Sequence, residues 1–348
     1  MTPLENFRAT FGAGKRGTDL LVMPLIMTFA ARHSGLTYIE YLRDPAKMAQ
    51  AQFAVCRDFG IDVLITTSDP VTELSALGGS LIWFDDDPPA PDPDQPLLMQ
   101  PSDLKTLSRP DPCGKNRMGD RVAAIKEMRR LARDEFPVLG WVEGPISGAA
   151  VMRGLSTLME DLIDDPRFID DVFEFNVDVA IAYARAQVDA GADMIGFGDA
   201  PASLIGPTLY KRFVLPHEQR MIAAIKSFGV PVRMHICGNT TKLLHLMATA
   251  GAELVDIDSV ADFQAAADAF PPSVKLLGNL DPVREVLNSN PESIVDRLGE
   301  CHRLAGDRYV VGAGCEIPAV TPDDNLRAFA EYGHRSPSGG AQTPLSVS

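Results

Sequence analysis

Short apolar, β-branched runs recur along the chain, each bounded by turn residues and separated by stretches with apolar side chains three and four residues apart. Eight runs have the strand pattern: residues 21–27, 62–67, 138–142, 193–197, 232–236, 254–258, 274–278 and 309–313. Helical periodicity fills residues 45–59, 121–135, 168–190, 207–228, 241–250, 261–270, 282–305 and 321–332. Two of these end in a shared phrase, Asp189-Ala-Gly-Ala-Asp193 and Thr249-Ala-Gly-Ala-Glu253, which sets a glycine where a helix stops before the next strand. Strand-then-helix grammar repeated eight times predicts parallel strands and an α/β fold, a (β/α)8 TIM barrel.

One interval breaks the pattern. Residues 85–119 are rich in proline and aspartate and predict an elaborated segment between the second and third strands, with a small hairpin near residues 80–84. The last residues, 336–348, are Ser/Gly/Pro-rich without periodicity and predict a disordered tail, leaving residues 1–335 as one barrel domain. A chain of 348 residues with 45% hydrophobic content is long enough for such a core.

Charge narrows the partners. A formal net charge of -15 argues against nucleic acid and against an anionic membrane surface. No apolar run approaches the roughly 20 residues that span a bilayer, and the N-terminal residues lack a secretory pattern. Five cysteines, an odd number scattered over a large chain, do not form a disulfide framework, so a reduced, cytoplasmic protein is expected. Cys56 and Cys301 fall in helical stretches and read as packing thiols. A homodimer stays open as an assembly.

The candidate chemistry sits at strand ends. His235 and Cys237 lie two apart at the end of the fifth run, and Cys315 lies two residues beyond the eighth. Alternation through Ile236 lets His235 and Cys237 face one side, and the C-terminal ends of barrel strands open on a common face. Two thiolates and an imidazole suit Zn2+ and leave a fourth position free for substrate.

At these residues the chain resembles the uroporphyrinogen decarboxylase superfamily, and within it the corrinoid-linked methyltransferase branch that includes methylcobamide:coenzyme M methyltransferases. The segments that carry the likeness are Pro231-Val-Arg-Met-His-Ile-Cys-Gly-Asn-Thr240, Gly278-Asn-Leu-Asp-Pro282, Gly312-Ala-Gly-Cys-Glu-Ile-Pro318 with Thr321-Pro-Asp-Asp-Asn325, and Asp199-Ala-Pro-Ala-Ser203. The resemblance implies His235, Cys237 and Cys315 as zinc ligands. It also implies a small thiol as methyl acceptor and a methylcorrinoid donor carried by a partner protein, because the chain lacks the Asp-x-His-x-x-Gly sequence of a cobalamin-binding domain. Zinc would hold the thiol as a thiolate ready to attack.

The superfamily also supplies a rival, the metal-free decarboxylase of uroporphyrinogen. Asp69 matches that enzyme's essential Asp, and Gly278-Asn-Leu-Asp-Pro282 is closer to its wording. Against it, the stretch Pro24-Leu-Ile-Met-Thr-Phe-Ala-Ala-Arg-His33 holds one Arg where an octacarboxylate needs several. A non-catalytic corrinoid- or tetrapyrrole-binding barrel is a third reading.

Other acids near strand ends are Glu73, Glu143, Asp199 and Glu316. Glu73 and Glu316 are candidates for a fourth zinc ligand, and Asp199 for positioning a substrate or taking a proton, beside the plainer reading of each as a loop-capping carboxylate. Trp83 and Trp141 read as packing residues. His33, His217, His245, His302 and His334 show no partner pattern. The residues do not disclose which thiol accepts the methyl group, where that group originates, or in which direction it moves.

Overall fold

A computed structural model of the protein describes residues 1–12 and 19–335, so the expected tail at 336–348 lies outside the described residues. Nine strands form among them: β1 (Leu64–Ile65), β2 (Leu81–Ile82), β3 (Ala90–Pro91), β4 (Val138–Glu143), β5 (Met194–Gly198), β6 (Val232–His235), β7 (Leu254–Ile257), β8 (Lys275–Gly278) and β9 (Tyr309–Val310). Seven of these make one parallel sheet in the order β1-β4-β5-β6-β7-β8-β9.

Residues 21–23 close the ring. Met23 N donates to Val311 O at 2.9 Å and Val311 N to Leu21 O at 2.8 Å, while on the other side Asp62 N donates to Val22 O at 2.9 Å. The eighth position therefore sits between β9 and β1, as a (β/α)8 barrel requires. It is held partly by a side chain, since the Asp62 carboxylate accepts from Val22 N at 2.8 Å. That substitution explains why regular pairing here is shorter than the apolar runs predicted.

The barrel wall is buried on both faces, which is why its strands read as continuous apolar runs. Every residue of β4 is buried, as are Met194 to Phe197 in β5, all of β6 and all of β7. Each large apolar side chain removed from water contributes roughly 1.5–3 kcal/mol before entropy is counted. Gly191 ends the helix Pro166–Ala190 as predicted, at φ +112° in the left-handed region that glycine enters without penalty, whereas the helix expected over 241–250 is only Leu244–Met247 and stops at Ala248, short of Gly251.

Helix boundaries depart from the pattern where proline or a capping side chain decides. The helix expected at 121–135 starts earlier, at Arg117–Ala132, because Asn116 caps it by accepting from Gly119 N at 3.0 Å. The single helix expected over 282–305 is two, Pro282–Leu287 and Pro291–Ala305, since Pro291 cannot continue a helix and Asn290 caps a fresh start. Within 207–228 the chain widens to a π turn at Tyr210–Val214, next to Pro216, which has no N–H to give. Helices Pro145–Arg153 and Leu155–Asp164 follow β4, in a stretch whose glycines and alanines gave little periodic signal. The elaborated segment does hold a hairpin, with β2 pairing antiparallel to β3. Among the described residues, no helix is long and apolar enough to cross a membrane.

Candidate metal centre

β5, β6 and β7 pair in register so that Gly198, His235 and Asp256 form one row near the C-terminal ends of the strands. Residues paired this way in a parallel sheet face the same side. Cys237 continues β6 past its last residue, and Cys315 comes in from the loop after β9. His235 Nε2 lies 2.8 Å from Cys237 Sγ and 3.8 Å from Cys315 Sγ, and the two sulfurs are 3.4 Å apart. A disulfide needs about 2.05 Å, so these are free thiols.

The donor set fits a tetrahedral soft-metal site. With bonds of about 2.3 Å to sulfur and 2.0–2.1 Å to nitrogen, ligand atoms around zinc stand roughly 3.4–3.8 Å apart. Two of the three separations match, and the 2.8 Å pair is a direct His235–Cys237 hydrogen bond. Among the described residues, His235, Cys237 and Cys315 are the ligand-type group whose donor atoms all lie within 4.8 Å of one another.

Electrostatics point the same way. The hydrogen bond from Cys237 is the largest influence on Cys315 and, with His235 adding to it, brings that thiol down to about 4, while Cys237 is pushed up in turn. One negative charge is thus shared between two sulfurs, and ionising both needs a cation between them. Burial works against charge on His235, but the Asp256 carboxylate and the Cys315 sulfur together outweigh it and raise the imidazole to about 10.

Behind the imidazole stands a relay that the sequence reading missed. His235 Nδ1 lies 2.7 Å from Asp256 Oδ2, which leaves Nε2 directed at the cysteines. Asp256 in turn accepts from Arg233 Nε at 2.9 Å and Nη2 at 2.8 Å, and Arg233 Nη1 donates to Met23 O at 3.1 Å. Carboxylate–histidine pairs of this kind fix the tautomer of a metal-binding imidazole. The only sequence signal was two charged residues, Arg233 and Asp256, inside apolar runs.

Trp141 packs beside the centre, as a buried residue. Its ring lies 6.1 Å from that of His235, over Gly196, where a Cβ would come within 2.4 Å of the indole. Trp83 is flanked by guanidinium groups, Arg43 at 4.4 Å and Arg117 at 5.3 Å from its ring centre.

The candidate acids divide into separate environments. Asp69 is bound by Arg117 through both terminal nitrogens, by Ser68 Oγ at 2.7 Å and by Val71 N at 3.1 Å. Burial opposes its charge, and Arg117 overcomes this to hold the carboxyl below its usual range. Asp199 is fully buried and accepts from Ser147 N at 2.8 Å, capping helix Pro145–Arg153 from outside. Burial and the neighbouring Glu218, itself bonded by Tyr210, push it up. Glu316 accepts from Thr28 N and Oγ1, both at 2.8 Å. Glu73 accepts from Glu143 N at 2.8 Å. Neither Glu73 nor Glu316 joins the His/Cys/Cys group. Four of the five histidines without a partner pattern in the sequence are engaged elsewhere: His33 with Asp58 and His217 with Asp170, both at 2.8 Å, His302 with Tyr332 at 2.9 Å, and His334 with Asp62 at 3.2 Å.

Similarity to known proteins runs in two directions. The methylcobamide:CoM methyltransferase MtbA of Methanosarcina acetivorans is 32% identical over 217 residues, covering 62% of this chain and 63% of the relative, a little under two thirds of its length. The uroporphyrinogen decarboxylase of Myxococcus xanthus is 27% identical over 318 residues, 88% of each chain. In fold, a solved methyltransferase from Methanosarcina mazei superposes with a TM-score of 0.87 at 21% identity, over 95% of this chain and 98% of that one. The family model described as uroporphyrinogen decarboxylase (URO-D) matches residues 14–336, nearly the whole chain, and the protein therefore belongs to the uroporphyrinogen decarboxylase family.

Proposed function

We propose that this protein is a zinc-dependent methyltransferase that moves a methyl group between a methylated corrinoid, carried by a partner protein, and a small thiol. The observation that carries the reading is the convergence of His235, Cys237 and Cys315 with Asp256 and Arg233 locked behind the histidine. Two thiolates, one oriented imidazole and an open fourth position are what a thiol-activating zinc site needs.

These three residues would hold the ion, which when bound would supply a Lewis acid that keeps the acceptor thiol deprotonated near neutral pH. Asp256 keeps a proton on His235 Nδ1 so that Nε2 stays a ligand. Arg233 neutralises Asp256 inside the barrel, where an unpaired carboxylate would be costly. Trp141 walls the centre beside His235 and excludes water from that side. A methylcorrinoid on the partner would supply the methyl group in this reaction class, in which a carbon–sulfur bond would replace a carbon–cobalt bond, the bonding pair would stay with cobalt and the thiol proton would go to solvent.

Decarboxylation of uroporphyrinogen is the second reading, favoured by relatives that carry that name. The environment of Asp69 speaks against it, because both its oxygens are taken by Arg117 and are not free to bind pyrrole N–H groups. Purified protein given methylcobalamin and a panel of thiols tests the two directly. Thiol-dependent demethylation that is lost on zinc removal supports the proposal. Coproporphyrinogen formation that is lost in Asp69→Ala and indifferent to zinc removal reverses it.

A further inference from the structure

The row of side chains that carries His235 also carries Glu143. β4 pairs with β5 so that Glu143 stands beside Gly198, and Gly198 stands beside His235. Two strand spacings, roughly 10 Å between backbones, thus separate Glu143 from the first metal-type ligand. The residue between them is a glycine. A Cβ built on it would lie 3.7 Å from Glu143 Oε2 and 3.5 Å from Trp141 Nε1, so the carboxyl and the indole lean over this gap from the β4 side. Glu73 stands behind, tied to the Glu143 backbone.

These carboxyls have no ion-pair partner among the described residues. The buried arginines there are Arg117, Arg121 and Arg233. Arg233 is committed to Asp256 and Met23 O, Arg117 to Asp69, and Arg121 to Ser68 Oγ at 3.0 Å and Leu42 O at 2.8 Å. Among the described residues, no ion pair reaches Glu73 or Glu143; the pairs of the buried arginines end at Asp69 and Asp256. Burial accordingly pushes Glu143 up and Glu73 to about 7, the behaviour of carboxyls without an opposite charge.

We infer that the acceptor is a thiol that carries a protonated amine, with sulfur at the His235/Cys237/Cys315 centre and the ammonium group at Glu143. This inference rests on the zinc–thiol reading above and adds the class of substrate. An ammonium brings the positive charge that no ion pair among the described residues gives Glu143 or Glu73. A thiol whose tail is purely anionic brings a further negative charge to a wall of acids, where the buried arginines of the described residues are already bonded to other groups.

Three two-carbon thiols that differ in tail charge test this: cysteamine, 2-mercaptoethanol and 2-mercaptoethanesulfonate, titrated calorimetrically into the zinc-loaded full chain. Cysteamine is expected to bind about tenfold or more tightly than 2-mercaptoethanol, with the sulfonate weakest. Glu143→Gln, which keeps the size and an acceptor for Trp141, is expected to bring all three within about threefold at unchanged zinc content. Sulfonate binding as tight as cysteamine, or a cysteamine preference that survives Glu143→Gln, overturns the inference and leaves the zinc–thiol reading intact. Failure of all three thiols to bind the zinc-loaded protein overturns that reading, and the inference with it.

Discussion

Asp256 and His235 stand opposite each other on neighbouring strands, with carboxylate Oδ2 2.7 Å from imidazole Nδ1. The pair joins the barrel wall to the candidate centre, so a change in the wall should be read at the metal. Asp256→Asn is expected to weaken zinc affinity about 10- to 100-fold, because an amide can present the wrong partner to Nδ1 and free the ring to turn. It also leaves Arg233 buried without an anion, at a cost of about 3–5 kcal/mol. Competition against a chromogenic chelator and urea unfolding measure the two effects, and unchanged zinc affinity in a folded variant would contradict the role given to Asp256.

Gly196 is expected to be intolerant of a methyl group. An alanine there would press on the Trp141 indole at 2.4 Å, whereas a Cβ at Gly206 meets nothing within 4 Å. Gly196→Ala should cost about 1–3 kcal/mol and shift the tryptophan fluorescence, while Gly206→Ala should change stability by no more than about 0.5 kcal/mol. Equal effects of the two would mean that Trp141 is not held against β5.

Acids in the mouth make stability depend on pH. Burial raises Glu73 to about 7 in the folded chain, above the unfolded value of about 4.3, so the folded state holds this proton longer. The carboxyl therefore weakens the fold above pH 7, and the penalty fades as pH falls from about 7 towards about 4.3. Glu73→Gln, which still accepts from Glu143 N, is expected to gain on the order of 1–3 kcal/mol at pH 8 and nothing at pH 4. Denaturant midpoints across that range measure it, and a gain that does not change with pH would refute the assignment.

Much of this architecture was legible because burial on both faces writes parallel strands as apolar runs, and glycine marks where helices stop. Seven of the eight runs hold strands, residues 21–27 pair only through a bridge at Val22, and the helix 45–59 kept its bounds. His235, Cys237 and Cys315 stood out because soft ligands at strand ends are uncommon. What escaped was pairing across the chain: Asp256 is 21 residues from His235, and Arg117 is 48 from Asp69. Strand register and the fold of the segment after β1 bring these partners together, and no local pattern records either. Gly198 escaped for a similar reason, and Glu143, though noted as an acid near a strand end, was not linked to His235, since only the register sets Glu143 beside Gly198 and Gly198 beside His235.

The central claim is that His235, Cys237 and Cys315 hold a zinc ion that takes a thiol as its next ligand. Zinc K-edge X-ray absorption of the purified protein, without and with thiol, reads this directly. The account predicts two sulfurs at about 2.3 Å and one nitrogen at about 2.0–2.1 Å before thiol is added, and three sulfurs afterwards. A shell without sulfur, or one that thiol leaves unchanged, would contradict it.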